Sequence, residues 1–185
     1  RIAGSSQWFE GGVVSYSNAV KMHQLQVPFA FLETHGAVSE PDILIEAEAD
    51  LNALDAKSGD GDTGSTLATA ARALIGAMDR LPLADHTQLY RAIGLELSQT
   101  MGGSSGVLLA IFFAAAGDAS SSGLPMRDAL KKGLDRMRQI GGANLGDRTM
   151  VDALLPALDA LPSGLAAAAR AAREGADYTA TLTRA

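Results

Sequence analysis

Cysteine is absent from this chain, which excludes disulfides, thiolate zinc sites and a cysteine nucleophile. Histidine is scarce, and His23, His35 and His86 have no metal-ligand spacing among them, so they read as surface or packing residues. Long apolar runs are also missing. The longest, Val107 to Ala116, falls far short of the roughly 20 residues that a membrane-spanning helix needs, and it reads as a buried helix. No basic region precedes an apolar segment near the first residue, so a secretory signal is not expected and the cytoplasm is the expected compartment. Positive charge is in the minority, 15 Lys and Arg against 21 Asp and Glu for a net charge of -6. That balance argues against a general nucleic-acid binder and leaves room for an anionic nucleotide held through metal ions and backbone N–H groups. Nothing points to a membrane partner.

What is present divides unevenly. Trp8, Phe9, Tyr16, Phe29 and Phe31 crowd the first 31 positions, whereas the rest holds only Tyr90, Phe112, Phe113 and Tyr178. The first forty residues combine a short β-like stretch at Gly12 to Ser17, a helical pattern from Asn18 to Leu25 and a proline-containing connector, which together read as an α/β fragment. From Pro41 onward apolar residues recur at spacings of three and four with no convincing alternation, so residues 41–185 read as an all-α domain. Ser39 suits an N-cap and Pro41 the first helical turn. Helices are expected at about Pro41 to Leu54, Gly64 to Arg80, Thr87 to Thr100, Ser105 to Gly117, Pro125 to Ile140, Arg148 to Leu161 and Ser163 to Glu174, with glycine or proline between them. The serine-rich segment Ala119 to Gly123 reads as a flexible connector.

The most informative stretch is Leu51 to Thr66, L-N-A-L-D-A-K-S-G-D-G-D-T-G-S-T. It crowds Asp55, Asp60 and Asp62 into one glycine-hinged turn. Asp and Gly are common in solvated turns for backbone reasons, but three like charges within a few ångströms repel unless a cation or protons compensate. Hard divalent cations such as magnesium take oxygen ligands and bridge carboxylates to phosphates, which fits an Asp-rich turn without His or Cys. Three glycine-punctuated loops each precede a predicted helix: Gly59 to Ser65, Met101 to Gly106 and Gly141 to Met150. Helix N-termini favour anions through free N–H groups and the helix dipole, and glycine permits close approach. A polyphosphate can be cradled by such loops. None of them matches the lysine-containing phosphate loop or a strand-linked G-x-G-x-x-G. Arg148 is a candidate to offset phosphate charge.

Residues from about Asp42 to Ala185 resemble the nucleotide-binding domain of dihydroxyacetone kinases, the DhaL type. The motifs L-N-A-L-D-A-K-S-G-D-G-D-T-G, M-G-G-S-S-G and G-D-R-T-M-V-D-A-L occur in the family's order. The resemblance implies a mainly α fold, an antiparallel α-helical barrel that holds ATP and Mg2+ at one end through interhelical loops. It implies Asp55, Asp60 and Asp62 as magnesium ligands, and Thr63, Gly64, Ser65 and Thr66 as phosphate contacts. By the same resemblance Ser104 and Ser105 are expected to take further phosphate oxygens, and Gly141 and Met150 to lie beside the adenine. Thr63 stands where the phosphotransferase-system-dependent branch has histidine, so the chain is more similar to the ATP-dependent kinases, which exchange ATP and ADP. In the family a separate DhaK-like domain holds dihydroxyacetone through a histidine, and that domain is the partner the resemblance implies.

Two departures accompany the match. The family continues into a G-R-A-S-Y motif, whose arginine touches phosphate, and a last helix, whereas this sequence ends at Thr183-Arg184-Ala185. A barrel incomplete at the C-terminus and weakened ATP affinity and transfer are therefore expected. Residues 1–41 resemble a fragment of the CinA C-terminal domain, a nicotinamide-nucleotide amidase. The family's nucleophile-bearing E-S-C-T-G-G segment lies upstream of the matched portion, so amidase activity is not expected. The alternative reading is a recombined structural protein without kinase or amidase activity, with a homo-oligomer completing its core.

Overall fold

The computed structural model describes residues 45–57 and 59–182; the α/β reading of residues 1–40 and the start of the first expected helix lie outside them. Seven α-helices lie wholly among the described residues, preceded by helical Ile45 and Glu46 and a turn at Ala47, and no strand is found among those residues. They are α1 (Glu48–Asp55), α2 (Thr63–Ala77), α3 (His86–Thr100), α4 (Gly103–Ser121), α5 (Met126–Gly141), α6 (Val151–Ala160) and α7 (Leu165–Thr179), with 3-10 turns at Met78–Arg80 and Leu161–Ser163. They form two compact units. One comprises the described residues up to Ala68 and from Asn144 onward, the other Thr69–Ala143.

In the second of these units, α3 starts where Asp85 caps it, its carboxylate accepting the Gln88 N–H at 3.1 Å. Such a cap satisfies one of the donors that a helix start leaves open. Leu89, Tyr90, Ile93, Gly94 and Leu97 then line one buried stripe, the three-and-four spacing of a half-buried helix. Helix α4 is antiparallel to α3, since Thr87 donates to the Ser120 hydroxyl at 3.0 Å and Arg91 pairs with Asp118 at 2.8 Å. The Phe112 and Phe113 rings meet edge to face at 5.0 Å and 88°. A Cβ on Gly133 of α5 would run into the Phe112 carbonyl oxygen, so α5 approaches α4 to backbone contact. By length and composition α4 is apolar enough to cross a bilayer. Its Leu109, Phe112, Phe113 and Ala116 are instead buried against neighbouring helices, as in a core helix.

Helix α4 also runs further than its sequence pattern indicates. Ala119 to Ser121 belong to its last turn rather than to a flexible connector. The Ser121 and Ser122 hydroxyls donate back to the Asp118 carbonyl at 2.7 and 3.2 Å, a local bonding pattern that carries serine at a helix end.

Tyr90 is fully buried between His86 and Phe113, and its hydroxyl has no hydrogen-bond partner among the described residues. Burial pushes its ionisation well above the ordinary phenol range. An unpaired buried hydroxyl costs about 1 kcal/mol or more. Tyr90→Phe is therefore expected to keep or raise the melting temperature, by about 2–4 °C. Calorimetry checks this, and a clear fall would mean that the hydroxyl is bonded in solution.

In the first unit α7 lays Ala168, Ala172 and Ala176 against α6, a stripe of small side chains that permits close helix approach. Pro156 sits inside α6 and has no N–H to offer the Asp152 carbonyl four residues earlier. Gly175 packs on that same carbonyl, where any Cβ would overlap the oxygen and lie 3.0 Å from the Pro156 Cγ.

Candidate functional site

The acidic turn arises from the way α1 ends. The Gly59 N–H donates to the Asp55 carbonyl at 2.6 Å, and the Gly61 N–H donates to Asp55 Oδ2 at 3.0 Å. Gly61 has φ 79°, a left-handed conformation that glycine adopts without strain. The chain thereby folds back over its own helix end and brings Asp60 and Asp62 to Asp55. One carboxylate oxygen from each residue lies within 4.8 Å of the other two. Asp55 is half-buried, and Asp60 and Asp62 are exposed.

Asp62 is held above the ordinary carboxylate value of 3.8, first by a side-chain hydrogen bond with Asp60, then by the like charge of Asp60, and less by desolvation and by Asp55. An acid raised in the folded state contributes stability that is present below 3.8 and is lost as pH rises through its folded value. At neutral pH the unneutralised cluster therefore opposes folding. A carbon-13-detected titration is expected to place the Asp62 midpoint above 3.8 in the wild-type chain and nearer to it in Asp60→Asn.

Helix α2 begins directly after Asp62. Its first intrahelical bond runs from the Thr66 N–H to the Asp62 carbonyl at 2.9 Å, which leaves the N–H groups of Thr63, Gly64 and Ser65 without helical acceptors. The Ser65 N–H donates to Asn52 Oδ1 at 3.1 Å. Three convergent carboxylates with a helix start beside them fit a hard divalent cation bridging to an anion.

The other expected site residues fall into both units. Asp55, Asp60, Asp62, Thr63, Gly64, Ser65, Thr66 and Met150 belong to the first, Ser104, Ser105 and Gly141 to the second. Ser104 is exposed and Ser105 half-buried in the first turn of α4. Gly141, the last residue of α5, lies against Leu108, one turn further along α4. Met150 is buried.

Sequence patterns do not reveal what shapes the third loop. Helix α6 starts at Val151 rather than Arg148, and Arg148 adopts a left-handed φ of 57°. The cause is Asp152, only 1% exposed, whose two oxygens accept the Gly146 N–H and, at 2.7 Å, the Thr149 N–H. Asp147 adds a bond from the Asn144 N–H at 2.7 Å. A carboxylate in the first turn of a helix, shortly after a Gly-Asp-Arg-Thr run, was the available signal.

Residues 57–185 match the DAK2 domain family and residues 1–70 the CinA C-terminal domain, so the two matches overlap over residues 57–70. Dihydroxyacetone kinase of Citrobacter freundii is 50% identical over 147 residues, covering 77% of this chain and 27% of that protein. A putative 3,4-dihydroxy-2-butanone kinase of Solanum lycopersicum is 35% identical over 154 residues, covering 74% of this chain and 26% of that protein. Among solved structures, the C. freundii dihydroxyacetone kinase in complex with AMP-PNP and Mg2+ superposes with a TM-score of 0.72 at 47% identity, covering 84% of this chain and 29% of that one. The chain thus spans about a quarter of the length of the relatives it matches. The mainly helical, DhaL-type fold class expected from its motifs is borne out by these neighbours, and the chain belongs to the DAK2 domain family.

Proposed function

We propose that this chain is the nucleotide-binding part of a dihydroxyacetone kinase, taking ATP or ADP together with Mg2+. The observation that carries this reading is the convergence of Asp55, Asp60 and Asp62 at the start of α2. The likeness to a kinase crystallised with AMP-PNP and Mg2+ supports the choice of ligand. Asp55, Asp60 and Asp62 hold the cation, which when bound supplies positive charge for the phosphate oxygens. Thr63, Gly64 and Thr66 meet phosphate at the α2 N-terminus, and Met150 of the same unit lies against the base. The protein's part in phosphoryl transfer is then positioning and charge neutralisation, and no side chain needs to act as a nucleophile.

The acceptor hydroxyl comes from dihydroxyacetone held by a separate DhaK-like domain, so transfer requires that partner. Titration calorimetry with ADP tests the first half: binding is expected with Mg2+ and not with EDTA, and absence of heat at millimolar ADP and Mg2+ sinks the reading. Mixing with a dihydroxyacetone-binding domain tests the second. Phosphorylated dihydroxyacetone is expected only when both proteins and ATP are present.

A further inference from the structure

Glu48, Asn52 and Asp55 sit at i, i+4 and i+7 on α1 and so share one face of that helix. All three reach toward the acidic turn and the first residues of α2. Asp55 takes the Gly61 N–H of the turn. Asn52 grips Ser65 twice, accepting its N–H at 3.1 Å and donating to its hydroxyl at 3.0 Å, while that hydroxyl donates to Glu48 Oε1 at 2.8 Å. Gly64 removes the last spacer between the helices, because a Cβ there would strike the Glu48 carbonyl oxygen and lie 2.7 Å from Asn52 Oδ1. The Ser65 hydroxyl thus has one donor and one acceptor partner on α1, and its N–H is used as well.

We infer that Glu48, Asn52 and Ser65 are positioning residues, a lock between α1 and the start of α2 that fixes where Asp55 stands relative to Asp60 and Asp62, and that Ser65 serves this lock instead of contacting the nucleotide. The inference rests on the proposed cation site and refines it. The lock fixes both ends of the acidic turn, since Asp55 ends α1 and Asp62 immediately precedes α2. Carboxylates that converge only when both helix ends are held bind a cation more weakly once one end is released.

The test uses Mn2+ alone, without nucleotide, read from the electron paramagnetic resonance signal of the free ion with the full chain present. Asn52→Ala is expected to weaken Mn2+ binding about tenfold with helical circular dichroism retained, since it removes two hydrogen bonds. Ser65→Ala is expected to weaken it about threefold, Ser65→Thr to restore it, and ADP affinity measured at saturating Mn2+ to stay at the wild-type level in Ser65→Ala. Removing one oxygen from a half-buried position, Ser65→Ala also keeps the test open should Asn52→Ala fail to fold. Wild-type Mn2+ affinity in the folded variants overturns the lock. So does a Ser65→Ala chain that keeps Mn2+ but loses ADP at saturating metal, which would make Ser65 a phosphate contact. A wild-type chain that holds no Mn2+ instead overturns the cation site itself, and the lock with it.

Discussion

Asp60→Ala and Asp62→Ala are each expected to abolish the stabilisation that ADP and Mg2+ together give the wild-type chain. A ligand at a hundred times its dissociation constant stabilises a protein by about 2.7 kcal/mol, which for a domain of this size corresponds to a rise in melting temperature of about 5–10 °C. In either variant that rise should shrink to about 1 °C or less, within the scatter of a thermal scan. Without ligand the ordering reverses. Each alanine removes one member of a mutually repelling set whose crowding already raises Asp62, so the apo variants should melt no lower than apo wild type at neutral pH. That crossing of the two orders separates a ligand-binding cluster from an ordinary solvated turn. If both variants keep the full ligand-induced rise, the three carboxylates are not where the cation binds.

The second large effect is expected in α7. Gly175→Val places a branched side chain on the Asp152 carbonyl oxygen and the Pro156 ring. Helices α6 and α7 must then separate along a stripe of buried alanines, at a cost of about 3 kcal/mol or more. The fall in melting temperature should be about 6–12 °C. Gly175→Ala decides the sign more sharply. Helix propensity alone favours alanine over glycine by about 1 kcal/mol, yet the Cβ has no room, so this variant should also melt below wild type. Gly76 in α2 is the control, since no atom of the described residues lies within 4 Å of a Cβ there; Gly76→Ala should raise stability by up to about 1 kcal/mol. A Gly175→Ala chain as stable as Gly76→Ala would show that α6 and α7 can part without cost.

Much of this was legible from residue patterns because the helices are bounded by strong local signals. Glycine between helices, as at Gly142 after α5, marks ends that the three-and-four spacing of apolar residues then fills, although α7 starts at Leu165, after Gly164, and not at Ser163 as expected. The acidic turn was legible as well, since its carboxylates lie close in sequence and glycines set its backbone. What stayed hidden depends on partners that spacing does not connect. Asn52, a poor helix former in the middle of α1, finds its reason in Ser65, thirteen positions later. Asp152 delays the start of α6 by drawing in two backbone donors from the loop, which no helical periodicity encodes. The serines after Asp118 read as loop because their composition matches that of connectors, whereas their hydroxyls close the helix end.

A segment tethered at Gly146 and Thr149 by the internal carboxylate of Asp152 has already given up its conformational freedom when the domain folds, so a nucleotide at the base position proposed beside Met150 would meet a surface in its final shape. Ordering entropy then contributes little to the encounter. Cutting that tether should make association more enthalpic and more entropically opposed at once, even where the overall affinity hardly moves.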